Sequence, residues 1–123
     1  PEIMLFKRKA EETLKNIKNR PYLAGIKITE VVRLDNAYQG INNYIKQNSM
    51  DLIVMGSHGA TGINEIIIGS NTEKVVRQSE TPVLVIKNKI DNFKIQNIIF
   101  ASDFSKEIKK PFQKMTSLLC RLN

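Results

Sequence analysis

Apolar residues in the first fifty positions recur at the spacing of helices. A first stripe, with Lys and Glu between its members, consists of Phe6, Ala10, Leu14 and Ile17. This spacing predicts a helix that ends before Pro21, because proline cannot continue the hydrogen-bond ladder. A second predicted helix, which Asp35 or Asn36 can cap, has the stripe Ala37, Ile41, Tyr44 and Ile45. Between the two helices, the apolar residues of Ile26–Val32 predict a strand.

Two continuous apolar runs follow, Leu52–Met55 and Val83–Ile86, with a helical segment around Thr72–Gln78 between them. A strand that is apolar on both faces belongs in a parallel sheet covered on both sides. Strand, crossover helix and strand form a βαβ unit. The sequence therefore predicts an α/β fold with a doubly wound parallel sheet.

A third apolar run, Ile98–Ala101, lies beyond a polar spacer and predicts another buried strand. The last predicted helix follows it, with Ser105 as a candidate cap and Pro111 inside its apolar stripe. Either this helix begins near Lys110, with Pro111 in the first turn, or it is kinked at Pro111.

Composition narrows the class of protein. The chain has 123 residues, of which 41% are hydrophobic and 25% are charged, as in one soluble globular domain. The single Cys120 excludes an internal disulfide, and no Cys/His cluster suggests a metal centre. No apolar run approaches the roughly 20 residues of a membrane helix, and no signal peptide is recognised. We therefore expect a cytoplasmic protein without a membrane partner.

The net charge of +7 raises the question of nucleic-acid binding. Residues 1–50 carry +4 and residues 93–123 carry +4, whereas residues 51–92 carry −1. The positive excess thus lies in the predicted flanking helices and avoids the glycine-rich middle. This distribution favours solvated helix faces, and binding of single-stranded nucleic acid stays an alternative.

Two glycine-containing stretches carry the candidate chemistry. Gly56-Ser57-His58-Gly59 ends the first apolar run, and Gly69-Ser70 comes nine residues later, just before a predicted helix. Ligands of α/β proteins bind at the carboxyl edge of the sheet. The first amides of a helix lack intrahelical partners and favour a phosphate. We expect Gly56 and Gly59 to permit positive φ, and the hydroxyls of Ser70 and Thr72 to add donors.

Other phosphate-binding motifs fit less well. The chain has no Gly-Lys-Ser/Thr sequence, which excludes a P-loop, and no GxGxxG for a dinucleotide site. The GxxG loop of KH domains lies between two helices, whereas Gly56–Gly59 follows an apolar strand.

These segments closely resemble the universal stress protein family over roughly residues 3–87. The resemblance rests on Asp51–Gly59, Gly69-Ser70 and Ser79–Ile86, and the family's ATP-binding pattern G-x2-G-x9-G-S matches without gaps. It implies a parallel α/β sheet that binds ATP, with Mg²⁺ or Mn²⁺, at the carboxyl ends of its strands. The residues implied to contact the nucleotide are Met55, Gly56, His58, Gly59, Gly69, Ser70, Asn71, Thr72 and Asp103. Met55 and His58 also fit plain packing roles.

The position of Asn97–Ser105 departs from the family pattern. This stretch resembles the family's first strand, which ends in an Asp that contacts the nucleoside, yet it lies downstream. The simplest interpretation is a tandem protein. Residues 1–87 are then the later part of one domain, 88–95 a linker, and 96–123 the first strand and helix of a second domain. Asp103 would serve the second domain's site.

The resemblance implies a nucleotide-dependent switch in stress response. We expect at most slow ATP hydrolysis, because no general base, lysine or carboxylate pair lies near the glycine loop. We expect a homodimer, a dimer formed by exchange of Ile98–Ala101 into the vacant position beside Leu52–Met55, or pairing of the tandem domains through Val83–Ile86. Exchange is favoured over self-insertion because an eight-residue linker reaches roughly 26–29 Å at most. A ligand-free dimerisation module of the same family stays an alternative.

Overall fold

The first apolar stripe folds as helix α1, Glu2–Lys18. We describe a computed structural model that covers residues 1–58 and 68–122 and divides into two units, residues 1–40 and 41–123. In the first unit, α1 ends as predicted before Pro21, which opens a short 3-10 turn, Pro21–Leu23. Ion pairs one helical turn apart, Lys7–Glu11 and Arg8–Glu12, line the exposed side of α1.

The second predicted helix is α2, Ala37–Gln47. Its cap is Asn36, whose Oδ1 accepts a hydrogen bond of 3.1 Å from the Tyr38 amide. The side chain of Asp35 instead accepts a 2.8 Å hydrogen bond from Arg33. This difference decides between the two candidate caps, because an N-cap must offer an oxygen to an amide in the first turn.

The predicted βαβ unit is present in the second unit. Strand β1, Ile53–Gly56, is followed by helix α3, Ser70–Gln78, and by strand β2, Val83–Ile86. The strands pair in parallel, with Ile53 opposite Val83 and Gly56 opposite Ile86. Ile53 and Val75 form the buried apolar centre of this unit. The prediction of an α/β fold with a parallel sheet is therefore confirmed.

The other two predicted strands do not form. Neither of these segments, Ile26–Val32 and Ile98–Ala101, is a strand. The sheet of the described residues contains only β1 and β2. An apolar run becomes a strand only when a neighbouring strand accepts its backbone hydrogen bonds. Ile99 is 96% exposed. The doubly wound sheet and the tandem domain boundaries stay predictions.

The last helix begins in the first of the two predicted ways. A 3-10 turn, Lys106–Ile108, runs directly into helix α4, Lys109–Leu122. Pro111 is the third residue of α4 and thus lies in its first turn, where proline is tolerated. Cys120 is exposed and thus does not occupy a core position. No helix of the described residues has the length and apolarity needed to span a bilayer.

Candidate functional site

The end of β1 and the start of α3 are joined by two hydrogen bonds. The Gly69 amide donates to the Ser57 carbonyl over 2.7 Å, and the Thr72 hydroxyl donates to the Gly56 carbonyl over 2.9 Å. The Ser57 amide in turn donates to the Ile86 carbonyl over 3.0 Å, which extends the ladder beyond the end of β1. The two glycine-containing stretches of the motif therefore meet at the carboxyl edge of the sheet.

Helix α3 presents backbone amides at this edge. Gly69, with φ −57° and ψ 143°, precedes the helix, and no described side chain makes a capping hydrogen bond there. Since the Gly69 amide is bonded to Ser57, the first-turn amides without intrahelical acceptors are those of Ser70, Asn71 and Thr72. Together they carry the positive end of the helix dipole, about half an elementary charge.

Thr72 has a different role from the expected one. Its side chain is 5% exposed, and the hydroxyl donates its single proton to the Gly56 carbonyl. Sequence reasoning expected this hydroxyl to donate to a phosphate. The contact with Gly56 was not foreseen, because motif spacing does not encode side-chain direction in the first turn of a helix. In the structure the hydroxyl connects α3 to β1, and the part of Thr72 that remains for an anion is its amide.

Ser57 is a member of the site that sequence reasoning missed. It is 2% exposed, and its Oγ lies 2.7 Å from Nδ1 of His58. The signal for its burial was strand alternation, which places Ile53, Met55 and Ser57 on one face. The Ser57 hydroxyl is therefore buried against His58 in the part of the chain that the structure describes. His58 is exposed, and Nδ1 is the ring nitrogen that contacts the Ser57 hydroxyl.

Gly56 does not need the conformational freedom of glycine for its backbone. Among the described glycines, positive φ occurs at Gly25 and not at Gly56, which is the last residue of β1 and is extended. The positive φ that glycine permits is therefore not used at Gly56. A Cβ there would lie 3.4 Å from the His58 carbonyl oxygen, an ordinary contact. Gly59 lies outside the described residues, and Met55 is half-buried in β1.

Asp103 lies in the turn that precedes α4. Its Oδ1 accepts a 2.9 Å hydrogen bond from the Ser105 amide. The hydrogen bonds from Ser105, first from its amide and then from its hydroxyl, lower the pKa of the exposed Asp103 carboxyl from its ordinary value. The structure thus gives Asp103 a local role in the bend that leads to Ser105, the residue that precedes the 3-10 turn, and its predicted role at a nucleotide stays a prediction.

Comparison with known proteins supports the family resemblance. The model of the universal stress protein family matches residues 1–87. Universal stress protein MJ0577 of Methanocaldococcus jannaschii is 36% identical over 65% of this chain and 49% of its own length. Universal stress protein MJ0531 of the same organism is 38% identical over 68% of this chain and 49% of its own length. Universal stress protein YxiE of Bacillus subtilis is 30% identical over 66% of this chain and 55% of its own length.

The chain spans about half the length of these curated relatives. No solved structure gives a significant match.

Proposed function

The chain belongs to the universal stress protein family, and we propose that it binds ATP where β1 ends and α3 begins. Membership of this family supports a role in stress response as part of the proposal. The observation that carries the proposal is the pair of hydrogen bonds that fix the first turn of α3 against Gly56 and Ser57. They hold three amides, those of Ser70 to Thr72, in place before any ligand arrives.

These amides suit a triphosphate. A hydrogen bond to a charged group contributes about 1.5–3 kcal/mol. Three such bonds at the lower value supply roughly half of the 8.2 kcal/mol that corresponds to micromolar affinity. The nucleoside must supply the rest, for which Met55 and Gly56 at the end of β1 are the candidate contacts. Because residues 51–92 carry a net charge of −1, oriented amides rather than lysines would hold the phosphates.

Mg²⁺ or Mn²⁺ would enter with the nucleotide. The described residues contain no group of three Asp, Glu, His or Cys side chains that could hold a metal ion. The ion would therefore be coordinated mainly by phosphate oxygens and water, as is usual for Mg²⁺.

We infer nucleotide-dependent switching rather than rapid hydrolysis. Glu73, the acidic residue in the first turn of α3, accepts a 3.0 Å hydrogen bond from Arg77 and is engaged in that ion pair. The Ser57 hydroxyl is buried and contacts His58. Neither residue is placed as a general base for an attacking water.

The test compares two substitutions at Ser70, the first residue of α3. Ser70→Pro removes one amide donor but is compatible with the helix, because proline is favoured at this position and Gly69 already has the extended conformation that precedes proline. Ser70→Ala is the matched control, which removes only the hydroxyl. Calorimetric titration with Mg-ATP is expected to show a Kd about ten- to a hundredfold weaker for Ser70→Pro than for Ser70→Ala. Equal affinities, or no binding by the unsubstituted chain, would overturn the proposal.

Nucleic-acid binding through the basic helices receives no support from α1. Lys7 and Arg8, part of its basic cluster, form ion pairs with Glu11 and Glu12 one turn later. Positive side chains paired in this way are typical of a solvated helix face.

A further inference from the structure

Lys87 lies at the edge of the sheet where β1 ends, although it is distant in the sequence from both glycine-containing stretches. Gly56 is opposite Ile86, the last residue of β2. The register continues for one more residue, because the Ser57 amide donates to the Ile86 carbonyl over 3.0 Å. Ser57 and Lys87 therefore lie opposite each other, directly beyond the ends of the two strands.

The position opposite Ser57 also fixes the face of the sheet on which Lys87 lies. Ile53 and Ser57 are buried and, by strand alternation, belong to one face. Thr72 and Val75 are the buried residues of α3, so this helix covers that face. Opposite residues of neighbouring strands share a face, which places Lys87 on the side of α3.

The first turn of α3 is joined to the same backbone position. The Ser57 carbonyl accepts a hydrogen bond from the Gly69 amide over 2.7 Å, and the amides of residues 70–72 follow directly. Neighbouring strands lie about 4.8 Å apart, so the backbone of Lys87 is adjacent to Ser57. A lysine has a long, flexible stem, and from this position the ammonium group can extend in front of those amides.

The Lys87 side chain is available for a contact with a ligand. It is exposed, and it makes no ion pair with any residue that the structure describes. Lys89, two positions further along, is instead paired with Asp91 over 3.0 Å. Residues 51–92 carry a net charge of −1, but a net charge does not show where single cations lie. Lys87 therefore adds a positive charge beside the oriented amides of α3.

We propose that Lys87 binds the outermost phosphate of a triphosphate whose other phosphates lie on the amides of α3. This inference rests on the proposed ATP site and names the residue that selects nucleotides by the number of their phosphates. An ammonium group binds phosphate as a point charge, and the attraction grows with the charge of the ligand. The single phosphate of AMP would be held by the amides, out of contact with Lys87.

The test compares two lysines that differ in position but not in charge. Lys87→Gln removes the proposed contact, and Lys89→Gln is the matched control because it lowers the net charge by the same amount. Both side chains are exposed, so neither substitution should affect the fold. Calorimetric titrations measure the Kd for Mg-ATP and for AMP. We expect Lys87→Gln to weaken Mg-ATP binding about fivefold and AMP binding less than about twofold. Lys89→Gln should change either Kd by less than about twofold.

Two results with nucleotides would overturn the role of Lys87. One is the same Mg-ATP affinity in both variants, since any loss would then reflect net charge and not position. The other is an equal loss of Mg-ATP and AMP affinity in Lys87→Gln, since Lys87 would then not act on the outermost phosphate.

Inorganic tripolyphosphate separates this inference from the proposed function. It has the phosphates without a nucleoside, and its binding should also weaken about fivefold in Lys87→Gln and remain unchanged in Lys89→Gln. Lys87-dependent binding of tripolyphosphate by a chain that does not bind Mg-ATP would contradict the proposed function alone. Mg-ATP binding that does not depend on Lys87 would overturn this inference alone, and binding of neither ligand by the unsubstituted chain would overturn both.

Discussion

The hydrogen bond from Thr72 to the Gly56 carbonyl offers the sharpest perturbation of the site. Thr72→Val keeps the shape of the side chain and removes the hydroxyl that joins α3 to β1 over 2.9 Å. Thr72 is 5% exposed, so the substituted side chain would remain buried. The substitution therefore tests the contact itself and not the filling of space.

The expected loss in the free energy of unfolding depends on how exposed the two hydrogen-bond partners, Thr72 and Gly56, are. Leaving a buried acceptor without its donor costs about 1–3 kcal/mol. Gly56 is exposed, so water can partly replace the lost donor, and the additional buried methyl of valine offsets part of the loss. We therefore expect the free energy of unfolding to fall by about 1 kcal/mol, which corresponds to a decrease in Tm of roughly 4 °C for a chain of this size.

Thr116→Val is the matched control because it lies in the same unit. The Thr116 hydroxyl bonds to the Phe112 and Gln113 carbonyls of its own helix, at 3.1 Å and 3.0 Å. Its removal should change the stability by less than about 0.5 kcal/mol. Urea unfolding followed by circular dichroism compares the two variants. Equal midpoints for Thr72→Val and Thr116→Val would refute the connection between α3 and β1.

Two further predictions concern the core and the turn before α4. Val75 is 2% exposed, whereas its neighbour Val76 is 46% exposed. Val75→Ala should therefore lower the free energy of unfolding by about 2 kcal/mol, and Val76→Ala by less than about 0.5 kcal/mol. Urea unfolding measures both values, and similar losses for the two variants would contradict the position of the core. The pKa of Asp103 should lie below the ordinary aspartate value, because Ser105 donates to the charged form. The stabilisation of this turn is therefore present above the unfolded-state pKa and is lost as the pH falls through the lowered pKa. Carboxyl chemical shifts recorded by NMR during an acid titration measure this pKa, and a pKa that is not lowered from the ordinary aspartate value would contradict the Ser105 hydrogen bond.

The sequence predicted those elements that local patterning determines. The stripes of α1 and α2 follow from helical periodicity, and β1 and β2 follow from continuous apolar runs separated by a helix. The start of α3 at Ser70 also agrees with the motif. Each of these features depends on residues that are close together in the chain.

Features that depend on distant partners were not predictable in the same way. Ile26–Val32 and Ile98–Ala101 have strand-like composition, but a strand requires a neighbour, and no local pattern specifies whether one is available. The Thr72 hydroxyl bonds to a carbonyl sixteen residues earlier, a choice set by how α3 meets β1. The burial of Ser57 was visible in the alternation of β1, whereas its contact with His58 was not.

The most direct test of the central claim is to follow the backbone amides of the full chain by NMR while Mg-ATP is added. We predict that the largest shifts occur at Ser70, Asn71 and Thr72, together with Gly56 and Ser57. The amides of α1 should remain unchanged. Shifts confined to the basic helices, or no shifts at saturating nucleotide, would contradict a site formed by the end of β1 and the start of α3.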